Sequence, residues 1–205
     1  MNRTYATNEH HEQPPKMHEI EIMEKVKETT LFTSHGESIG LSMLDFWKYQ
    51  YSNIFDLQEN IAEFIVGKTL EFTEPCNRNG WPLYDIFYRN TRIEIKETGY
   101  YYSWQKNGKI SQQRTFGIST SYGEDKIKAR QNDIYIFCLN TGTNAEESNP
   151  LEMDNWEFYV VPTSVINKVA ESQKTISLGR VRKLAPMTKY SELKGVVDSF
   201  IEAVD

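Results

Sequence analysis

Two strand-like runs, Leu83–Arg89 and Arg92–Tyr102, meet at Asn90-Thr91, and this juncture restricts the fold more than any other stretch of the chain. Side chains alternate across a strand, and directly paired residues share a face. With Asn90-Thr91 as the loop, Phe87 pairs with Glu94 and Asp85 with Lys96. Asp85, Glu94 and Lys96 then share one face, while Ile86, Tyr88, Ile93 and Ile95 form an apolar opposite face. A four-residue loop leaves that sorting intact, and a three-residue loop destroys it. Asn-Thr is not a favoured two-residue turn, so the register is an expectation for the structure to decide.

The remaining elements follow from periodicity. Ser42–Tyr51 is predicted helical, with Met43, Leu44, Trp47 and Tyr51 on one face. A second helix is expected over Ile54–Leu70, apolar nearly all round and therefore buried on more than one side. Thr115–Thr120 reads as a strand and Glu124–Arg130 as a short helix. Asp133–Leu139 (DIYIFCL) reads as a buried strand and Trp156–Val161 as another. A helix follows through Val169, with Thr163 or Ser164 as its natural N-cap. Thr175–Leu184 is ambiguous, and Tyr190–Val204 is an amphipathic helix. Residues 1–25 are polar and broken by Pro14-Pro15. They are expected to form a flexible tail, with a short helix near Ile20–Val26, ahead of one domain over 26–205. The predicted class is α/β (α+β), a central mixed sheet flanked by helices.

Composition bounds the function classes. No apolar run is long enough to span a membrane, and the N-terminus lacks the apolar core of a secretory signal. Two cysteines exclude a disulfide framework and a Cys-based zinc site, and a cytoplasmic location is expected. The net charge of -6 is unevenly spread: Arg89–Arg130 holds nine Lys or Arg against four acids. A locally basic face on an acidic protein can bind phosphate backbones, although each such charge is equally a solvated side chain.

Asp85, Glu94 and Lys96 on one sheet face make a coherent phosphoryl-transfer set. Two close carboxylates resist joint ionisation, and a hard divalent cation relieves that. A neighbouring lysine orients or deprotonates the nucleophile, or offsets charge in the transition state. The alternative is a salt-bridged surface triad. Glu63 lies within the apolar second helix, and a buried carboxylate needs a partner: the same metal, Lys96, or a basic residue in the core.

Glu63, Asp85 and Glu94-Ile95-Lys96 resemble the PD-(D/E)XK, or restriction-endonuclease-like, superfamily. The segments LDFW (44–47), AEFIVGKTL (62–70), YD (84–85), EIK (94–96), SWQ (103–105), FGI (116–118), DIYIF (133–137) and FYVVPTS (158–164) resemble an uncharacterised bacterial group of this type. The likeness covers roughly residues 40–200. Tyr84 stands where the superfamily name has proline. The resemblance implies an αβββαβ core and Mg²⁺- or Mn²⁺-dependent cleavage of nucleic acid. By position, Asp85 and Glu94 would be metal ligands with the Ile95 carbonyl as a third. Lys96 would be the catalytic lysine and Glu63 a supporting acid.

Gln105 is a further candidate, an amide able to order a water or a phosphate. Lys109 and Arg114 are candidate phosphate contacts. Tyr100, Tyr101, Tyr102 and Trp104 either stack on bases or pack in the core, with packing favoured. Arg180, Arg182 and Lys183 are a weaker phosphate candidate. Two functions stay open: a nuclease acting on DNA, alone, as a homodimer or with a specificity-giving partner protein, and a catalytically inactive module that binds nucleic acid or protein.

Overall fold

The structure is a computed structural model and describes residues 27–71, 83–102, 114–123 and 126–203. The expected tail, with its short helix near Ile20–Val26, lies outside them. The chain divides into two compact units after Gln50.

In the first unit, strands β1 (Leu31–Ser34) and β2 (Glu37–Ser42) form an antiparallel hairpin. His35 (φ 53°) and Gly36 (φ 85°) turn it in the left-handed region. Helix α1 (Met43–Gln50) follows. The Asp45 carboxylate accepts the Ser42 N–H at 2.9 Å, and Ser42 Oγ accepts the Asp45 N–H at 3.3 Å. This reciprocal pair starts the helix as a capping box does. The expected apolar face of α1 is present in sequence, but no residue of 27–50 is buried.

The second unit opens with a 3₁₀ turn at Ile54–Leu57 and helix α2 (Gln58–Thr69). Its remaining elements, in chain order, are β3 (Ile86–Tyr88), β4 (Thr91–Gly99), β5 (Thr115–Gly117), β6 (Ser121–Tyr122), β7 (Lys128–Ala129), β8 (Ile134–Asn140), β9 (Trp156–Pro162), α3 (Thr163–Ala170), β10 (Thr175–Ser177), α4 (Leu178–Leu184) and α5 (Tyr190–Glu202). The central sheet has the order β3-β4-β8-β9. Strand β4 runs antiparallel to β3 and parallel to β8, and β9 is antiparallel to β8. The mixed α+β class with a central mixed sheet is therefore observed.

Each face of the sheet has its own core. On one, Ile86, Ile93, Ile95, Ile136, Cys138, Phe158 and Val160 pack against Ala62, Ile65 and Val66 of α2 and Leu193, Val197 and Ile201 of α5. On the other, Tyr135, Phe137, Leu139, Tyr159 and Val161 pack against β5, α3 and α4. All seven residues of β8 are buried, which is why its sequence is a continuous apolar run without alternation.

Three expectations need correction. The β3–β4 turn is Arg89-Asn90, not Asn90-Thr91, because Tyr88 pairs with Thr91 and Phe87 with Arg92. Both turn residues have positive φ, 46° and 61°, which matches the twist of the flanking strands. Of the helix expected over Glu124–Arg130, the described residues 126–130 do not form one: Lys128–Ala129 pairs with Ser121–Tyr122 as a short antiparallel ladder. Helix α3 has Pro162 at its N-cap and no side-chain cap, while Thr163 Oγ1 accepts from Asn132 Nδ2 at 3.0 Å.

Candidate active site

The turn moves by one residue, which shifts the pairing by two. An even shift leaves every side chain on its original face. Ile86 pairs with Ile93 and the ladder ends there, so the expected pairing of Asp85 with Lys96 does not form. Asp85 N–H donates to Ile93 O at 3.0 Å, and Ile95 N–H donates to Asp85 Oδ2 at 2.6 Å. Beyond the end of β3 the Asp85 side chain thus takes over the backbone's role in the ladder. The Ile95 carbonyl points to the same edge of β4 as its N–H, towards Asp85. Glu94 and Lys96 alternate with Ile95 onto the opposite face from α2, and Glu94 Oε1 lies 2.5 Å from Lys96 Nζ.

The electrostatics record how closely these groups sit. Burial pushes the Glu94 carboxyl above its usual range and the Asp85 charge pushes it further, while Lys96 pulls it back. Burial works against the Lys96 ammonium, but Glu94, Asp85 and Glu59 outweigh it and hold its proton more tightly than usual. Tyr135, beside Glu94 in the parallel ladder, is driven up to about 12 by burial and then by the Glu94 charge. Glu94 and Lys96 open onto a cleft of about 510 Å³ whose other walls include Leu83, Ile118, Ser119, Tyr122 and Tyr135.

Glu63 is half-buried on α2. The helix packs through Ala62, Ile65 and Val66 on the face away from Glu94 and Lys96. Glu59, one turn before Glu63, is an α2 acid whose charge is felt at Glu94, Lys96 and Glu97. The sequence alone did not single out Glu59, yet its i, i+4 spacing to Glu63 places both acids on one stripe of α2.

Glu97 was also passed over. It faces the α2 side, and burial raises its carboxyl to about 8. Tyr102 OH lies 3.3 Å from Glu97 Oε1 and accepts the Gly99 N–H at 2.8 Å. A Cβ on Gly99 would sit 2.7 Å from Gln58 Oε1, so a larger residue here would have to displace the Gln58 amide. Of the tyrosine cluster, Tyr101 packs edge-on to Phe55 and Tyr100 lies under the Arg114 guanidinium, as the packing alternative expects. Trp104 lies outside the described residues.

Among the described residues of the basic stretch Arg89–Arg130, most of the basic side chains have internal partners. Arg89 pairs with Asp198, and Arg92 with Asp133. Arg130 is buried and donates to the Ile118, Ala170 and Gln173 carbonyls. Arg114, expected at phosphate, is only 7% exposed and donates to Tyr100 O at 2.5 Å, so its guanidinium is turned inward. Lys126 and Lys128 remain exposed. Gln105 and Lys109 lie outside the described residues. Arg182 is held by Glu157 and Tyr159, and Arg180 by Gln173 and the Val169 carbonyl.

Among the described residues no three His, Cys, Asp or Glu side chains gather as a metal-ligand group. A cation needing a shell made wholly of side chains would not fit. Asp85 and Glu94 offer hard oxygen donors, and the mutual repulsion recorded at Glu94 is what a hard divalent cation neutralises. That donor set fits Mg²⁺, which keeps several waters and binds through one or two carboxylates. No helix among the described residues is long and apolar enough to cross a membrane. No protein-family model and no curated protein matches the sequence.

Proposed function

We propose that the chain is a Mg²⁺- or Mn²⁺-dependent nuclease that hydrolyses phosphodiester bonds in DNA, on a restriction-endonuclease-like core. One observation carries the proposal: Glu94 and Lys96 share one sheet face beside an open cleft, and the Asp85 carboxylate, held on the Ile95 N–H between them, is close enough for its charge to act on both. Asp85 and Glu94 would hold the cation, with the Ile95 carbonyl directed to the same edge. When bound, such an ion polarises a phosphodiester and acidifies a water. Lys96 stays protonated among three acids, so its part is to place positive charge against the pentavalent phosphorus rather than to remove a proton. Glu59 adds negative charge from α2 that helps keep Lys96 cationic, and Glu63, one turn further along the same helix, would be the supporting acid.

The test is cleavage of plasmid, linear duplex, single-stranded DNA and RNA with Mg²⁺ or Mn²⁺ against EDTA, in the wild type and in Asp85→Ala and Lys96→Ala. Cleavage lost in both folded variants is the expected result. Cleavage that persists in both removes the proposed site.

A second function, an inactive binding module, draws on the direct contact of Lys96 with Glu94, since a lysine neutralised in this way resembles a structural ion pair. It predicts salt-sensitive binding without turnover in any metal.

A further inference from the structure

The cleft has one wall that hydrolysis does not use. Its rim is the β6–β7 ladder, where Tyr122 pairs directly with Lys128. The Tyr122 ring is 66% exposed although it lines the cleft that holds Glu94 and Lys96. The Lys128 ammonium lies 5.8 Å from the ring centroid, and Lys128 makes no ion pair among the described residues. Ser119 and Ser121 line the same cleft. Gly117 lines the cleft as well, and an added Cβ there would meet nothing within 4 Å, so this part of the wall is open.

A large exposed aromatic ring flanked by a cation, a few ångströms of open space and a phosphoryl-transfer set in one cleft is the arrangement that receives a planar base attached to a phosphate. Aromatic rings stack on any base, because every base has a π face. In an intact duplex those faces are covered by neighbouring bases. An unpaired nucleotide leaves them open. The cleft of about 510 Å³ falls in the range that encloses one small ligand, not a double helix.

We propose that this cleft takes one unpaired nucleotide, its base stacked on Tyr122 with Lys128 beside its phosphate, so that the preferred substrate is a single strand or a frayed end and not intact duplex. The direction of the bound strand, towards Glu94 and Lys96, rests on the nuclease proposal. The stacking does not.

The experiment is fluorescence anisotropy on the full chain in EDTA, which separates binding from hydrolysis. The probes are labelled oligo(dT) and oligo(rU) of about twelve nucleotides, a length within single-strand site sizes, and a blunt hairpin duplex of similar length. At least one single strand is expected to bind more tightly than the duplex. Tyr122→Ala should weaken that binding about tenfold, and Tyr122→Trp should restore it. Gly117→Leu, which adds bulk in the open space, should also weaken it. Circular dichroism confirms that each variant is folded. Duplex bound as tightly as both single strands, no binding of either, or unchanged affinity in Tyr122→Ala overturns the proposal. Stacking-dependent binding without hydrolysis in Mg²⁺ or Mn²⁺ upholds the cleft assignment and removes the catalytic one. Hydrolysis that is indifferent to Tyr122→Ala does the reverse.

Discussion

Asp85 accepts the Ile95 N–H at 2.6 Å, a side chain closing a backbone ladder at the point where strand β3 runs out. The bond joins the two halves of the acidic motif physically, since it fixes one carboxylate over the peptide that lies between Glu94 and Lys96. Asp85→Ala should therefore lose structure as well as chemistry. A charge-assisted bond of this kind is worth about 1–3 kcal/mol, so urea denaturation should show a loss of that order. Asp85→Asn keeps an oxygen acceptor and should lose less, while losing cation binding.

Lys96 and the cation compete for the same carboxylate. Lys96→Ala should bind Mn²⁺ at least as tightly as the wild type, because a neighbouring positive charge has gone. Its hydrolysis should fall by about 10²-fold or more. Calorimetric titration with Mn²⁺ beside a cleavage assay separates the two effects. Affinity lost together with activity would mean that Lys96 only supports the local structure.

Cation binding should also depend on pH in a stated direction. Burial and Asp85 hold the Glu94 proton to a higher pH than an ordinary carboxylate keeps it. Protons and metal compete for one ligand. Mn²⁺ affinity should therefore weaken as pH falls, beginning above the range of an exposed glutamate. Titrations at stepped pH check this.

Glu97 sets a separate pH dependence in stability. Its carboxyl titrates near 8 in the folded chain against 4.5 ordinarily, so the native state keeps a proton that the unfolded chain releases. Stability rises with pH only where the unfolded state binds more protons. Here the native state binds more, so the Glu97 contribution falls as pH rises from about 4.5 to about 8 and is flat above. Glu97→Gln removes the titration, and its denaturation midpoint should change less than that of the wild type between pH 5 and pH 8, values chosen to fall about inside that window.

Arg130 ties β5 and the end of α3 together through buried carbonyls. Arg130→Ala orphans those acceptors and should cost about 3 kcal/mol or more. Arg130→Lys should recover little, because an ammonium cannot reach three carbonyls spread around a planar fork. Denaturant unfolding of both variants tests this.

Much of the site was legible because strand parity is robust. Misplacing the turn by one residue moved the pairing by two, which keeps Glu94 and Lys96 on one face, with Asp85 tied to the Ile95 N–H between them. The turn itself was missed because Arg89 and Asn90 adopt positive φ without a glycine to announce it. Residues 126–130 misled because KIKAR has helical propensity, yet Lys128–Ala129 is held by cross-strand pairing with Ser121–Tyr122. The fate of the basic stretch was invisible for another reason. Whether an arginine meets solvent, as the phosphate role required of Arg114, or meets Asp133, as Arg92 does, depends on elements distant in sequence. Tyr122 carried no local signal and Glu59 only its i, i+4 spacing to Glu63, and it is the fold that brings Tyr122 to the cleft and the Glu59 charge to Lys96.

The most direct measurement is a crystal of the protein soaked in Mn²⁺ and examined by anomalous scattering. The account predicts one strong peak within about 2.2 Å of oxygens from both Asp85 and Glu94, with Lys96 displaced from its contact with Glu94. A soaked crystal with no ion between those two carboxylates, and Lys96 still seated on Glu94, would contradict it.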